Sequence, residues 1–88
     1  MIHRVYSVFD DKADFFLPPF FQTTEGQARR VFSDAVKQKD HPFALNPHDF
    51  HLYHLGEYDD MVGMITSLDK PKLLVSAKEI ANQENADG

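Results

Sequence analysis

The sequence predicts an α+β fold: a small antiparallel sheet in strand–strand–helix–strand–strand order, with one amphipathic helix packed on one face. Three observations predict it. Residues 2–9 (IHRVYSVF) are rich in β-branched and aromatic side chains and free of Gly and Pro. Residues 24–36 carry a single helical period behind a capping signature. Two further apolar runs, 50–58 and 61–68, flank the acidic turn Asp59-Asp60 as a hairpin would.

The first strand carries apolar residues on both faces, Ile2, Tyr6 and Val8 on one and Val5 and Phe9 on the other, which suits a central strand. Asp10 to Asp14 is a polar reversal. Phe15 to Gln22 then returns beside the first strand. Pro18 and Pro19 donate no ladder hydrogen bonds, so this second strand is an edge or is broken in the middle.

Thr24-Glu25-Gly26-Gln27 fits a capping box, and Ala28, Val31, Phe32, Ala35 and Val36 form one apolar stripe on a helix spanning 25–38. Arg29, Arg30, Asp34 and Lys37 lie on its other side, with Arg30 and Asp34 at pairing distance, and Asp40-His41-Pro42 ends it. Asn46-Pro47-His48-Asp49 fits one helical turn with Pro at its first position. After the hairpin, Asp69-Lys70-Pro71 breaks the chain. Ser76-Ala77-Lys78-Glu79 then fits a second capping box for a short C-terminal helix. The reading is a single domain over residues 1–78 and a polar, frayed tail over 79–88.

Composition excludes several classes of function. Nine Lys+Arg against fourteen Asp+Glu give a net charge of −5, which argues against a basic protein that coats nucleic acid by neutralising phosphates. Without cysteine there is no disulfide framework, thiolate metal site or thiol nucleophile. The longest apolar run, Phe15 to Phe21, is too short for a membrane span, and Met-Ile-His-Arg does not open a signal peptide, so no membrane partner is expected.

The chemistry-bearing residues are sparse. His48, His51 and His54 have helical spacing, but the window reads as extended, where His51 and His54 face opposite sides; no metal site is assigned. Asp10, Asp11 and Asp14, and Glu57, Asp59 and Asp60, fall at turns, where Asp caps nearby backbone N–H groups; they would form one acidic patch only if both turns met on one side of the sheet. Ser7, Ser33, Ser67 and Ser76 lie in no nucleophile elbow, and no Gly-rich phosphate loop exists. A binding role without catalytic residues or cofactors is expected.

Two surfaces stand out. Arg29, Arg30, Lys37 and Lys39 are the local basic excess, and with Tyr6 and Tyr53 on a sheet face they would offer phosphate contacts and base stacking to single-stranded DNA. The competing reading is a solvated helix face beside core aromatics. Phe15, Phe16, Leu17, Pro18, Pro19, Phe20 and Phe21 make an edge too apolar for one thin core to cover, which points to a homodimer. A chain this size buries only roughly 60–65% of its unfolded surface.

The run Val5-Tyr6-Ser7-Val8-Phe9-Asp10-Asp11-Lys12-Ala13, the segment Leu17-Pro18-Pro19-Phe20-Phe21, the helix start Gly26-Gln27-Ala28-Arg29-Arg30 and the stretch Leu55-Gly56-Glu57-Tyr58-Asp59-Asp60 occur in matching order over residues 2–66. This pattern resembles the small nonstructural protein of gokushovirus-type microviruses, bacteriophages with circular single-stranded DNA genomes. The resemblance implies a role in viral DNA replication, in the switch to single-strand synthesis and packaging, within the host cytoplasm. It brings no catalytic or binding residues with it. Two hypotheses follow: a replication accessory protein that binds single-stranded DNA, and a dimeric adaptor for a phage replication or procapsid protein or a host replication factor.

Overall fold

In the computed structural model, which describes residues 1–87, the spine of the sheet is β1 (Ile2–Asp10). The chain reverses and returns along β1 in two pieces, β2 (Phe15–Phe16) and β3 (Phe20–Gln22). Pro18 and Pro19 cause the gap, and the Leu17 N–H still reaches the Val8 carbonyl at 2.8 Å. The edge position and the break expected from the prolines are therefore both present.

On its other side β1 pairs with β4 (Phe50–Asp59), which pairs with β5 (Met64–Ser76), giving an antiparallel sheet in the order β2-β1-β4-β5, with β3 continuing β2 along β1. The hairpin turn is Asp60 to Gly63, with Gly63 in the left-handed region at φ 69° and its N–H bonded to the Asp59 carbonyl at 2.8 Å. The fourth strand therefore starts later than the sequence suggests and does not stop at Asp69-Lys70-Pro71. The register jumps from Gly56↔Ser67 to His54↔Lys72, so these residues are taken up as a bulge. An edge strand tolerates the missing proline donor.

Helix α1 (Glu25–Val36) starts at the expected capping box: the Gln27 N–H donates to Thr24 Oγ1, and the Gln27 side chain accepts from the Thr24 N–H. Ala28, Phe32 and Val36 are buried, while Val31 is exposed. The ion pair that forms along α1 is Glu25–Arg29, at 2.9 Å, rather than Arg30–Asp34. The helical turn expected at Asn46–Asp49 lies earlier, at α2 (Pro42–Leu45). Pro42 takes the first helical position, and His41 Nδ1 accepts from the Phe43 N–H.

The C-terminal helix α3 (Ala77–Asp87) follows β5 directly. It runs through the segment assigned from composition to a polar tail, and Ile80 is buried in the core; Gly88 lies outside the described residues. The three helices of the described residues lie on one side of the sheet. The core there combines Tyr6, Val8, Phe50, Leu52 and Val75 with Ala28, Phe32, Val36, Ala77 and Ile80. None of the described helices is long and apolar enough to cross a membrane.

Candidate functional site

Among the described residues no helix lies on the other side of the sheet. Strand alternation and register place four cross-strand rows on it: His3, Tyr58 and Ile65; Val5, Phe21, Gly56 and Ser67; Ser7, Tyr53 and Leu73; and Phe9, Phe16, His51 and Ser76. A one-residue bulge at Leu55 lies between the second and third rows, and it keeps both halves of β4 in phase with β1 across the irregularity.

Two aromatic groups occupy this face. Phe9 and Phe16 have ring centroids 4.9 Å apart, and Tyr53 meets them edge-on at 6.3 and 5.3 Å. Further along, Tyr58 sits between Phe21 at 5.6 Å and His3 at 5.8 Å. Gly56 separates the groups. A Cβ there would run into the Thr66 backbone carbonyl, so only glycine lets β4 and β5 approach this closely. Phe16, Phe21, Ile65 and Leu73 are exposed, so the face ends in apolar side chains rather than a polar cover.

At one end of the face, His51 Nδ1 lies 2.7 Å from Ser76 Oγ, and its Nε2 lies 3.6 Å from Asp11 Oδ2. This resembles a Ser–His–Asp line in composition only. The Asp11 contact is longer than a hydrogen bond and its carboxylate is exposed, so it fixes neither tautomer nor orientation. At the other end, the Met1 ammonium and His3 Nε2 lie 2.7 and 2.8 Å from the two Asp60 oxygens. The hydrogen bond from Met1 and then that from His3 hold the Asp60 carboxyl below its ordinary range, and Asp60 raises the Met1 amine.

The structure separates the residues expected to bind nucleic acid. Tyr53 is in the open aromatic group, but Tyr6 is fully buried on the helix side between Phe20 and His54 and offers no stacking surface. Burial pushes its phenol above the ordinary value, with Arg4 opposing. Arg29 is tied to Glu25 and to the Leu74 carbonyl at 3.4 Å. Arg30, Lys37 and Lys39 are exposed, but they sit on or just beyond α1, across the sheet from Tyr53. The paired positions of the open face carry His3 and His51 as their basic side chains, with no lysine or arginine among the described rows.

The apolar segment expected to self-associate also divides. Phe16 and Phe21 join the open face, Leu17 and Phe20 pack against the core, and Phe15, Pro18 and Pro19 are exposed along the edge. His51 and His54 face opposite sides, as their spacing in a strand requires. The two acidic groups lie at opposite ends of β1, and Asp10 Oδ1 caps the N–H groups of Lys12 and Ala13 at 3.1 Å each. Among the described residues no group of three or more histidine or carboxylate side chains comes together to hold a metal ion. Tyr58, Ile65 and Leu73 were not legible as site residues. The signal for Phe16 was its pairing with Phe9, which needs the register.

Against known proteins, the profile of a family described as phage ORF5 protein matches residues 3–80. No curated protein and no solved structure matches the chain.

Proposed function

The chain belongs to the phage ORF5 protein family, and from that premise we propose that this phage accessory protein acts in viral DNA replication and the switch to single-strand synthesis and packaging, in the host cytoplasm of a microvirus infection, as a binding protein rather than an enzyme. Its contact surface is the open aromatic face, and its ligand is single-stranded DNA. One observation carries this reading: the exposed Phe16 and the half-buried Phe9 and Tyr53, followed along the sheet by the exposed Phe21 and the half-buried Tyr58, form ring groups on a face with no helix among the described residues. Successive bases stack on such platforms without sequence preference, each contributing roughly 1–3 kcal/mol.

The structure changes how such binding would work. The cations of α1 lie on the far side of the sheet, so stacking rather than phosphate neutralisation supplies the affinity, in keeping with a net charge of −5. The test is titration of a single-stranded oligonucleotide into wild-type protein and a Phe16→Ala, Tyr53→Ala variant. The proposal expects binding that is lost in the variant while the fold persists.

A second reading is favoured by the scarcity of cations on this face: it covers a protein, such as a phage replication or procapsid protein or a host factor, in a dimeric adaptor. Self-association involving the Phe15–Phe21 segment is part of both readings. Absence of oligonucleotide binding at low salt, with recovery of a phage protein that depends on Phe16 and Tyr53, would select the adaptor.

A further inference from the structure

The two ring groups of the open face share one plan. In the first, Phe16 stands opposite Phe9 and Tyr53 stands opposite Ser7, two residues back along β1, and the two rings meet at 5.3 Å. In the second, Phe21 stands opposite Val5 and Tyr58 stands opposite His3, again two residues back, and the rings lie 5.6 Å apart. Each group is a Phe–Tyr pair reaching diagonally across β1. The second is the first moved four residues along that strand, from Phe9 to Val5 and from Ser7 to His3, or about 13 Å at roughly 3.3 Å per residue.

Regular strands would forbid this repeat. Phe16 and Phe21 are five residues apart, as are Tyr53 and Tyr58, and side chains at an odd separation point to opposite faces. Each flank of β1 takes up one extra residue. On β4 it is Leu55, between the pairs Val5↔Gly56 and Tyr6↔His54. On the edge it falls in the Pro18–Pro19 gap, where four steps from Phe16 to Phe20 match three from Phe9 to Tyr6. A bulge on one flank and a proline break on the other thus return both pairs to the same face in the same relation. Between them β4 has Gly56, and Val5 and Ser7 are buried, so the floor separating the pairs is low.

A ligand that engages both pairs alike must repeat along its own length and present a flat face at each repeat. A folded protein surface has no such repeat. A single nucleic-acid strand does, and at 3.4 Å per stacked nucleotide the offset of about 13 Å is roughly four nucleotide steps. We propose that the open face is a two-station site, on which one strand stacks at Phe16–Tyr53 and again, about four nucleotides on, at Phe21–Tyr58. The inference rests on the single-stranded DNA reading above and narrows its ligand class to strands of about five nucleotides or longer.

The test compares a thymidine dinucleotide, which reaches one station, with a thymidine decanucleotide, which reaches both, at low salt. Amide shifts in NMR titration read the weak ligand and fluorescence anisotropy the strong one. The decanucleotide should bind wild-type protein about a hundredfold or more tighter, after correction for the number of places a short ligand can occupy. A Phe21→Ala, Tyr58→Ala variant and the Phe16→Ala, Tyr53→Ala variant should each drop decanucleotide affinity to the dinucleotide level, too weak to register by anisotropy. Each should weaken dinucleotide binding only about twofold, since one of two stations remains. Circular dichroism checks the fold, and Phe21→Leu with Tyr58→Leu, which keeps apolar bulk without a ring, replaces an alanine variant that fails to fold. Decanucleotide binding no tighter than the corrected dinucleotide value, or binding that survives loss of the Phe21 and Tyr58 rings, overturns the two-station inference alone. No decanucleotide binding by wild-type protein overturns this inference and the DNA reading together.

Discussion

Phe16 and Tyr53 meet edge-on with ring centroids 5.3 Å apart, although Phe16 lies on the sheet edge and Tyr53 on the strand beyond β1. The contact spans β1 because both side chains rise from the same face, where Ser7, paired with Tyr53, is fully buried. The chain has no tryptophan and three tyrosines, so tyrosine emission reports directly on this face. Base stacking on Tyr53 and Tyr58 should quench that emission on oligonucleotide addition. Tyr53→Phe with Tyr58→Phe should leave only the signal of buried Tyr6, unresponsive to DNA. Quenching that survives both substitutions would place the ligand elsewhere.

Among the described residues the buried Tyr6 hydroxyl has no hydrogen-bond partner. An unpaired buried hydroxyl carries its desolvation cost without return, so Tyr6→Phe should leave stability unchanged or raise it by on the order of 1 kcal/mol. Urea denaturation checks this. A loss of more than about 1 kcal/mol would mean that the hydroxyl has a partner in solution.

Gly56 sits opposite Ser67 with no room for a side chain: a Cβ would strike the Thr66 carbonyl. Gly56→Ala should therefore cost about 1–3 kcal/mol through overpacking and backbone shift. Gly26→Ala, where the added carbon would meet nothing within 4 Å beyond its own stretch of helix, is the matched control. It should be neutral or stabilising, since alanine is the better helix former. Thermal denaturation of the pair should separate them clearly.

The Asp60 clamp gives the tip end of the sheet a pH dependence at both extremes. Asp60 has a lowered folded-state pKa, so its contribution is present above the ordinary carboxylate range and is lost as pH falls through that lowered value. The Met1 amine has a raised value, so its contribution is complete below the ordinary amine range and is lost as pH rises through the raised one. Both groups are exposed, so the effect should be small and salt-sensitive. Asp60→Asn should lower Tm slightly at pH 6 and not at pH 2; an equal effect at both values would assign the loss to packing.

Local chemistry made much of this fold legible. Thr24 and Gln27 marked the start of α1, Pro18 and Pro19 marked a broken edge, and the alternation of β1 marked a central strand. These signals act over a few residues. The bulge that absorbs Asp69-Lys70-Pro71 was not legible, because it depends on which residues of β4 stand opposite. The larger miss has the same origin. Both faces of β1 carry aromatics, so nothing local says which face α1 covers. It covers the face of Tyr6 and Val8, which buries one expected stacking residue and sends the α1 cations to the far side from Tyr53.

The central claim is that the open aromatic face, and not the basic helix, is the contact surface for DNA. The most direct measurement is the salt dependence of single-stranded oligonucleotide binding for wild-type protein, the Phe16→Ala, Tyr53→Ala variant and an Arg29→Ala, Arg30→Ala variant. With about 0.7 unit of log–log slope per phosphate neutralised, a face with only histidines predicts a slope no steeper than about −1 to −2. It also predicts lost binding in the aromatic variant and wild-type binding in the arginine variant. A steep slope with binding lost in the arginine variant, or no binding by wild-type protein at low salt, would contradict it.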